Sequence, residues 1–172
     1  MINSPTVALA MDLVSRPSVT PFDAGCQDLM IDRLESCGFK VEHLKFDDVD
    51  NFWAIHGSDG PIFCFAGHTD VVPTGPLDQW TNPPFFPEIK DGLLFGRGAT
   101  DMKGSLAAMV VAAEQFVTEY PDHPGRLAFL ITSDEGGVAI NGTALVVEWL
   151  QVQPLKPQLC LVCAPSSSAD CG

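Results

Sequence analysis

Apolar positions in this chain switch between helical and strand spacing, and the switches mark its elements. Val7, Leu9, Leu13 and Val14 form a helical stripe behind a Ser4-Pro5 pair that suits an N-cap and first turn, and the stripe ends before Pro17. A second helix is expected after Pro21, through Leu29, Ile31 and Leu34, with Gly38 as its stop. Residues 40–49 and 51–56 alternate or cluster as strands do, and Ser58-Asp59-Gly60 reads as a turn. The run Ile62-Phe63-Cys64-Phe65-Ala66 is short and continuously apolar, the pattern of a core strand. It delivers Gly67-His68-Thr69-Asp70 at its carboxyl end.

Residues 73–87 are rich in Pro and Gly and carry Trp80 and Phe85-Phe86, which predicts a long ordered loop. A hairpin around Asp91-Gly92 is expected over 88–95. Ala, Met, Val and Phe spacing then predicts a helix over 105–120 with one apolar face. Residues 126–132 read as another core strand, ending in Ser133-Asp134-Glu135-Gly136-Gly137, and a helix over 145–150 and a strand over 158–163 follow. Strands alternating with helices imply an α/β fold, with a largely parallel central sheet flanked by helices.

Composition narrows the function classes. At 172 residues with 46% apolar content, the chain is long enough for one domain with a sizeable core. Twenty-two acidic against nine basic residues leave a net charge of −13, which repels phosphate backbones and anionic lipid heads. Neither nucleic acid nor a membrane surface is an expected partner. Residues 1–16 lack the basic start of a signal peptide and no stretch is apolar enough to span a membrane, so the expected location is cytoplasmic. Cys160 and Cys163 form a C-x-x-C with Cys171 close behind, but residues three apart in a strand face opposite ways. Reduced thiols are the expectation.

Three polar clusters fall at strand ends or in the loops after them: His68 with Asp70, Asp101, and Asp134 with Glu135. The carboxyl ends of strands are where α/β sheets build their sites. His68 and Asp70 lie two apart on one face of an extended strand, so the carboxylate is placed to fix the imidazole tautomer for a metal. A structural histidine and a solvated acidic turn are the competing readings. No G-x-S-x-G elbow or phosphate-binding glycine motif is present, and nothing in the sequence places a histidine beside a thiol.

The runs 67–75, 80–84, Gly96-Arg97-Gly98-Ala99, Asp101-Met102-Lys103-Gly104-Ser105 and 131–135 resemble the zinc-dependent deacylase peptidases, the succinyl-diaminopimelate desuccinylases above all. Acetylornithine deacetylases share the H-T-D and D-M-K-G themes, but Thr74-Gly75-Pro76 and Ser133-Asp134-Glu135 fit the desuccinylases better. The resemblance implies two zinc ions per site, with cobalt as a substitute, and hydrolysis of a small N-acyl amino acid to release succinate in diaminopimelate and lysine biosynthesis. It implies that His68 is a zinc ligand, Asp70 its orienting carboxylate, Asp101 the bridge between metals and Glu135 the general base. Two ligand positions depart from the pattern: Gly136 and Ala164 stand where the family carries glutamates, and the last ligand histidine falls beyond Gly172.

The expectation is therefore an incomplete zinc-peptidase-like catalytic domain, residues 1–172 matching the N-terminal part of the family's catalytic domain. The family's dimer-forming domain and its returning catalytic segment are absent, which makes self-association possible. Two functions follow: a desuccinylase inactive in this form, or a non-catalytic remnant or binding module on the same scaffold.

Overall fold

The computed structural model describes residues 4–165. Cys171 and the rest of the 168–172 tail lie outside the described residues. Helix α1 spans Pro5–Val14 and α2 spans Cys26–Ser36. Strands β1 (Lys40–Phe46), β2 (Val49–His56) and β3 (Ile62–His68) follow, then β4 (Glu88–Lys90) and β5 (Leu93–Phe95). Helix α3 (Gly104–Glu119), β6 (Arg126–Thr132), α4 (Thr143–Val152) and β7 (Leu159–Val162) complete the order.

Five strands form one sheet in the order β1-β2-β6-β3-β7. β2 is antiparallel to both neighbours, while β3 runs parallel to β6 and to β7. Four of the five strands therefore point the same way, and the largely parallel sheet expected from the sequence is present with one reversed strand. Its two faces are filled by alternate residues of the same strands. Phe52, Ala54, Phe129 and Ile131 pack against α1, α2 and α3, whereas Trp53, Ile62, Cys64, Ala128 and Leu130 pack against Val146 and Leu150 of α4. Burial on both faces explains why β6 reads as an unbroken apolar run.

Local differences from the sequence reading have simple causes. Val49 belongs to β2, because Asp47 takes a positive φ and turns the chain there, so Val49 pairs with Phe46. Ser4 makes no side-chain capping bond, and Pro5 alone marks the start of α1. α2 starts at Cys26 because Asp23 accepts the Gln27 amide through both carboxylate oxygens, at 3.2 and 3.0 Å. The hairpin β4–β5 turns on Asp91 and Gly92 as expected, both at positive φ.

Among the described residues β7 has one neighbour, and Leu159, Leu161 and Val162 are exposed along it. In the same sheet, Ile62, Phe129 and Leu130 are covered by the flanking helices. Among the described residues no helix is long and apolar enough to cross a membrane.

Gly67 lets the sheet and α3 approach closely, since a Cβ there would lie 2.8 Å from Met102 Cε and 2.9 Å from Leu106 Cδ2. Leu106 is fully buried in that contact. Leu106→Ala is expected to lower stability by about 3 kcal/mol, the usual cost of a truncated core leucine. Urea unfolding of the two chains measures it, and a loss below about 1 kcal/mol would contradict this account of the α3 packing.

Candidate active site

β3 and β6 lie side by side in parallel, with His68 opposite Thr132. The loops leaving their carboxyl ends therefore start together. The first loop carries Asp70, the second Asp134 and Glu135. A wide turn over Ala99–Lys103, just before α3, brings Asp101 to the same place. His68, Asp70, Asp101, Glu135 and Gly136 line one pocket of about 210 Å³. Ala164 is not part of its wall.

His68 is buried, and its ring is held from both sides. Nδ1 faces the Asp70 backbone carbonyl at 2.9 Å and the Asp70 carboxylate at 3.4 Å. With Nδ1 as the donor, Nε2 is left facing the pocket, 3.2 Å from Asp101 Oδ1 and 3.6 Å from Glu135 Oε2. The two acids are open to water, with side chains 53% and 58% exposed against 8% for His68. Burial opposes a charged imidazole, but the Asp70 carboxylate and carbonyl, with Glu135 beyond, outweigh it and raise the His68 pKa to about 9.

Asp70 has no solvent exposure and works as a junction. Its carboxylate accepts the Glu135 amide at 3.2 and 3.1 Å and the Gly136 amide at 2.9 Å, as well as facing His68. Burial alone would raise its pKa, but these partners hold it below the ordinary aspartate value. One buried carboxylate thus fixes the imidazole and the backbone of the Glu135 loop together.

Thr69, between His68 and Asp70, points the other way and donates to Asp23 Oδ1 at 2.6 Å. Ser18 Oγ donates to the Thr69 carbonyl at 2.7 Å. Lys103 is fully buried and donates from Nζ to the Leu13 and Arg16 carbonyls, each at 2.8 Å, tying the Asp101 turn to the end of α1. Sequence reasoning did not single out Asp23, Ser18 or Lys103. Lys103 stands two residues from Asp101, but no sequence period shows that its ammonium turns inward.

Asp134, which precedes Glu135, and Cys163, which precedes Ala164, point elsewhere. The Asp134 carboxylate accepts the Ala139 and Asn141 amides and closes its own loop. Cys163 packs against the core on the α3 side, and its carbonyl accepts Ser105 Oγ at 3.0 Å. A Cβ on Gly136 would meet Val72 Cγ1 at 3.2 Å and Asp70 Oδ2 at 3.4 Å, so a side chain there requires a shift of a few tenths of an ångström. Among the described residues, no group of three or more His, Cys, Asp or Glu side chains is arranged to hold a metal ion.

Arg97 joins His68 as a basic side chain among the residues lining the pocket. Its guanidinium lies over the Trp80 ring, 5.1 Å from the centroid, and Trp80 Nε1 donates to the Thr74 carbonyl at 2.9 Å. The 73–87 loop is thereby pinned beside the site.

Comparison with known proteins agrees with this architecture. The chain is 59% identical over 170 residues to a succinyl-diaminopimelate desuccinylase of Stutzerimonas stutzeri strain A1501, covering 98% of this chain and 44% of that protein. It thus spans under half the length of that curated relative. Among solved structures, an M20 family metallo-carboxypeptidase from Sulfolobus solfataricus matches with a TM-score of 0.82 at 18% identity, over 94% of this chain and 38% of that one. Human carnosine dipeptidase 1 matches with a TM-score of 0.75 at 26% identity, over 91% and 37%. The model of peptidase family M20/M25/M40 matches residues 64–171, which contain every residue of the pocket, and the chain belongs to that family.

Proposed function

We propose that this chain carries part of a desuccinylase-type amidohydrolase site and does not turn substrate over by itself. The observation that carries the reading is the meeting of His68 Nε2, Asp101 and Glu135 in one pocket, with Asp70 bonded behind the imidazole. Identity of 59% to a named desuccinylase favours that substrate class over other deacylases of the family. In a complete site of this type His68 and Asp101 would hold a metal, Asp70 would orient His68, and Glu135 would be the base toward an attacking water. The substrate is a small N-acyl amino acid, and Arg97 is placed to receive its acyl carboxylate. A single catalytic unit working in the cytoplasm is part of the same proposal.

The residues present do not fit the two zinc ions that the desuccinylase resemblance implies. A catalytic zinc takes about three protein ligands. Here His68 and Asp101 reach the shared space, while Gly136 brings no donor atom and Ala164 is outside the pocket wall. No hydrolytic step through a metal is therefore assigned to this chain. A scaffold that keeps the pocket without the chemistry is the second reading, favoured by the same two positions.

The dialysed chain is expected to retain less than about one equivalent of zinc or cobalt, and to show no hydrolysis of succinyl-diaminopimelate. Gly136→Glu combined with Ala164→Glu should raise the retained metal. Turnover by the unaltered chain that disappears in Glu135→Gln would overturn the proposed inactivity.

The metal-free chain also has a defined pH response. His68 binds its proton more tightly when folded, so its pairing with Asp70 contributes fully below pH about 6.5 and is lost as pH rises through about 9. Thermal unfolding should show Tm falling across that window, and His68→Asn should flatten this part of the profile. An unchanged slope in the variant would remove His68 as its source.

Self-association through β7 completes the proposal. Among the described residues the outer edge of the strand is unpaired, and Leu159, Leu161 and Val162 are exposed along it. Sedimentation is expected to depend on concentration and to become monomeric with Leu161→Lys. A concentration-independent monomer would refute association at this edge.

A further inference from the structure

We propose that Cys64 and Cys160 form a redox-active dithiol that closes to a disulfide and fastens β7 onto β3. The two residues are direct partners in the parallel β3–β7 register. Neighbouring strands lie about 4.8 Å apart, within the roughly 4.4–6.8 Å between Cα atoms that a disulfide spans. Both side chains occupy the same face of the sheet. Cys64 packs in the cluster under α4, and the Cys160 thiol lies within interaction range of it.

The environments of the two thiols differ in a way that orders the chemistry. Cys160 is exposed on the edge strand and is the point of entry for an oxidant. Cys64 is fully buried, its Sγ donates to the Phe65 carbonyl at 3.5 Å, and burial raises its pKa, so it reacts second. Cys163 is the nearest competitor in sequence but packs on the α3 side of the sheet. Cys26 is buried and contacts the Leu13 carbonyl at 3.9 Å, away from this pair.

With oxidised glutathione as oxidant, the Cys160 thiolate attacks one sulfur, the glutathione S–S bond breaks and one glutathione leaves. Cys64 then gives up its proton and attacks the Cys160 sulfur, displacing the second glutathione. One glutathione disulfide is reduced to two thiols, and two protein thiols are oxidised to one disulfide. The second step is slow because the attacking thiolate forms in an apolar setting. The product ties β7 covalently to the strand that ends in His68, in a place where hydrogen bonds to one neighbour hold it in the reduced chain.

The chain treated with oxidised glutathione, trapped with an alkylating agent and mapped by mass spectrometry is expected to yield a Cys64–Cys160 disulfide. Cys64→Ser should stop at the mixed disulfide on Cys160, and Cys160→Ser should give neither product. Hydrogen exchange at β7 amides should slow about tenfold or more in the oxidised chain and return on reduction. A mixed disulfide on Cys160 that never resolves in the unaltered chain, a bridge to Cys163, or a Cys160–Cys160 dimer as the product would each overturn the proposal. A Cys64–Cys160 bridge that leaves β7 exchange unchanged would overturn the fastening role.

Discussion

Parallel pairing of β3 with β6 brings two separate strand ends to one point, and the buried carboxylate of Asp70 joins them there. A carboxylate without solvent must find donors where it lies, because unpaired charge in a protein interior is costly. Asp70 finds the His68 ring on its own strand exit and the Glu135 and Gly136 amides on the loop after β6. Register, loop course and imidazole orientation are thus parts of one constraint. A shift of β3 by one residue would turn His68 and Asp70 to the face that Thr69 occupies.

Behind this junction Ser18, Thr69, Asp23 and Lys103 are buried and paired. Thr69 donates to Asp23, Asp23 accepts the first turn of α2, and Lys103 bonds the end of α1. The same turn that buries Lys103 leaves Asp101 open to the pocket. The site is therefore rigid at its back and wet at its front, where Asp101 and Glu135 are more than half exposed. That contrast suits a site whose ligands come from loops but whose orientation is set by the sheet.

The departures at Gly136 and Ala164 act on this frame in different ways. Gly136 keeps its backbone role, since its amide still bonds Asp70, and gives up only a side chain at the pocket wall. Ala164 follows β7 and stands outside the wall. The fold thus accommodates both residues without loss of the Asp70 junction. The side chains of Asp134 and Cys163 are each committed to another part of the structure.

Much of this was legible in the sequence. The apolar run before His68, the helical spacing of α3 and the continuous run of β6 each depend on local period, and each element formed where its period predicted. His68, Asp70, Asp101 and Glu135 were identifiable by their places at strand ends and in the matching motif runs, and all four line one pocket. Other features had no local signal. The pairing of β2 with β6, the inward turn of Lys103, the bond from Thr69 to Asp23 and the pairing of Cys64 with Cys160 all join residues distant in the chain. Hydrophobic period determines which face of an element is buried; the partner that a buried polar group finds there is decided only when the elements pack and every donor and acceptor must be satisfied at once.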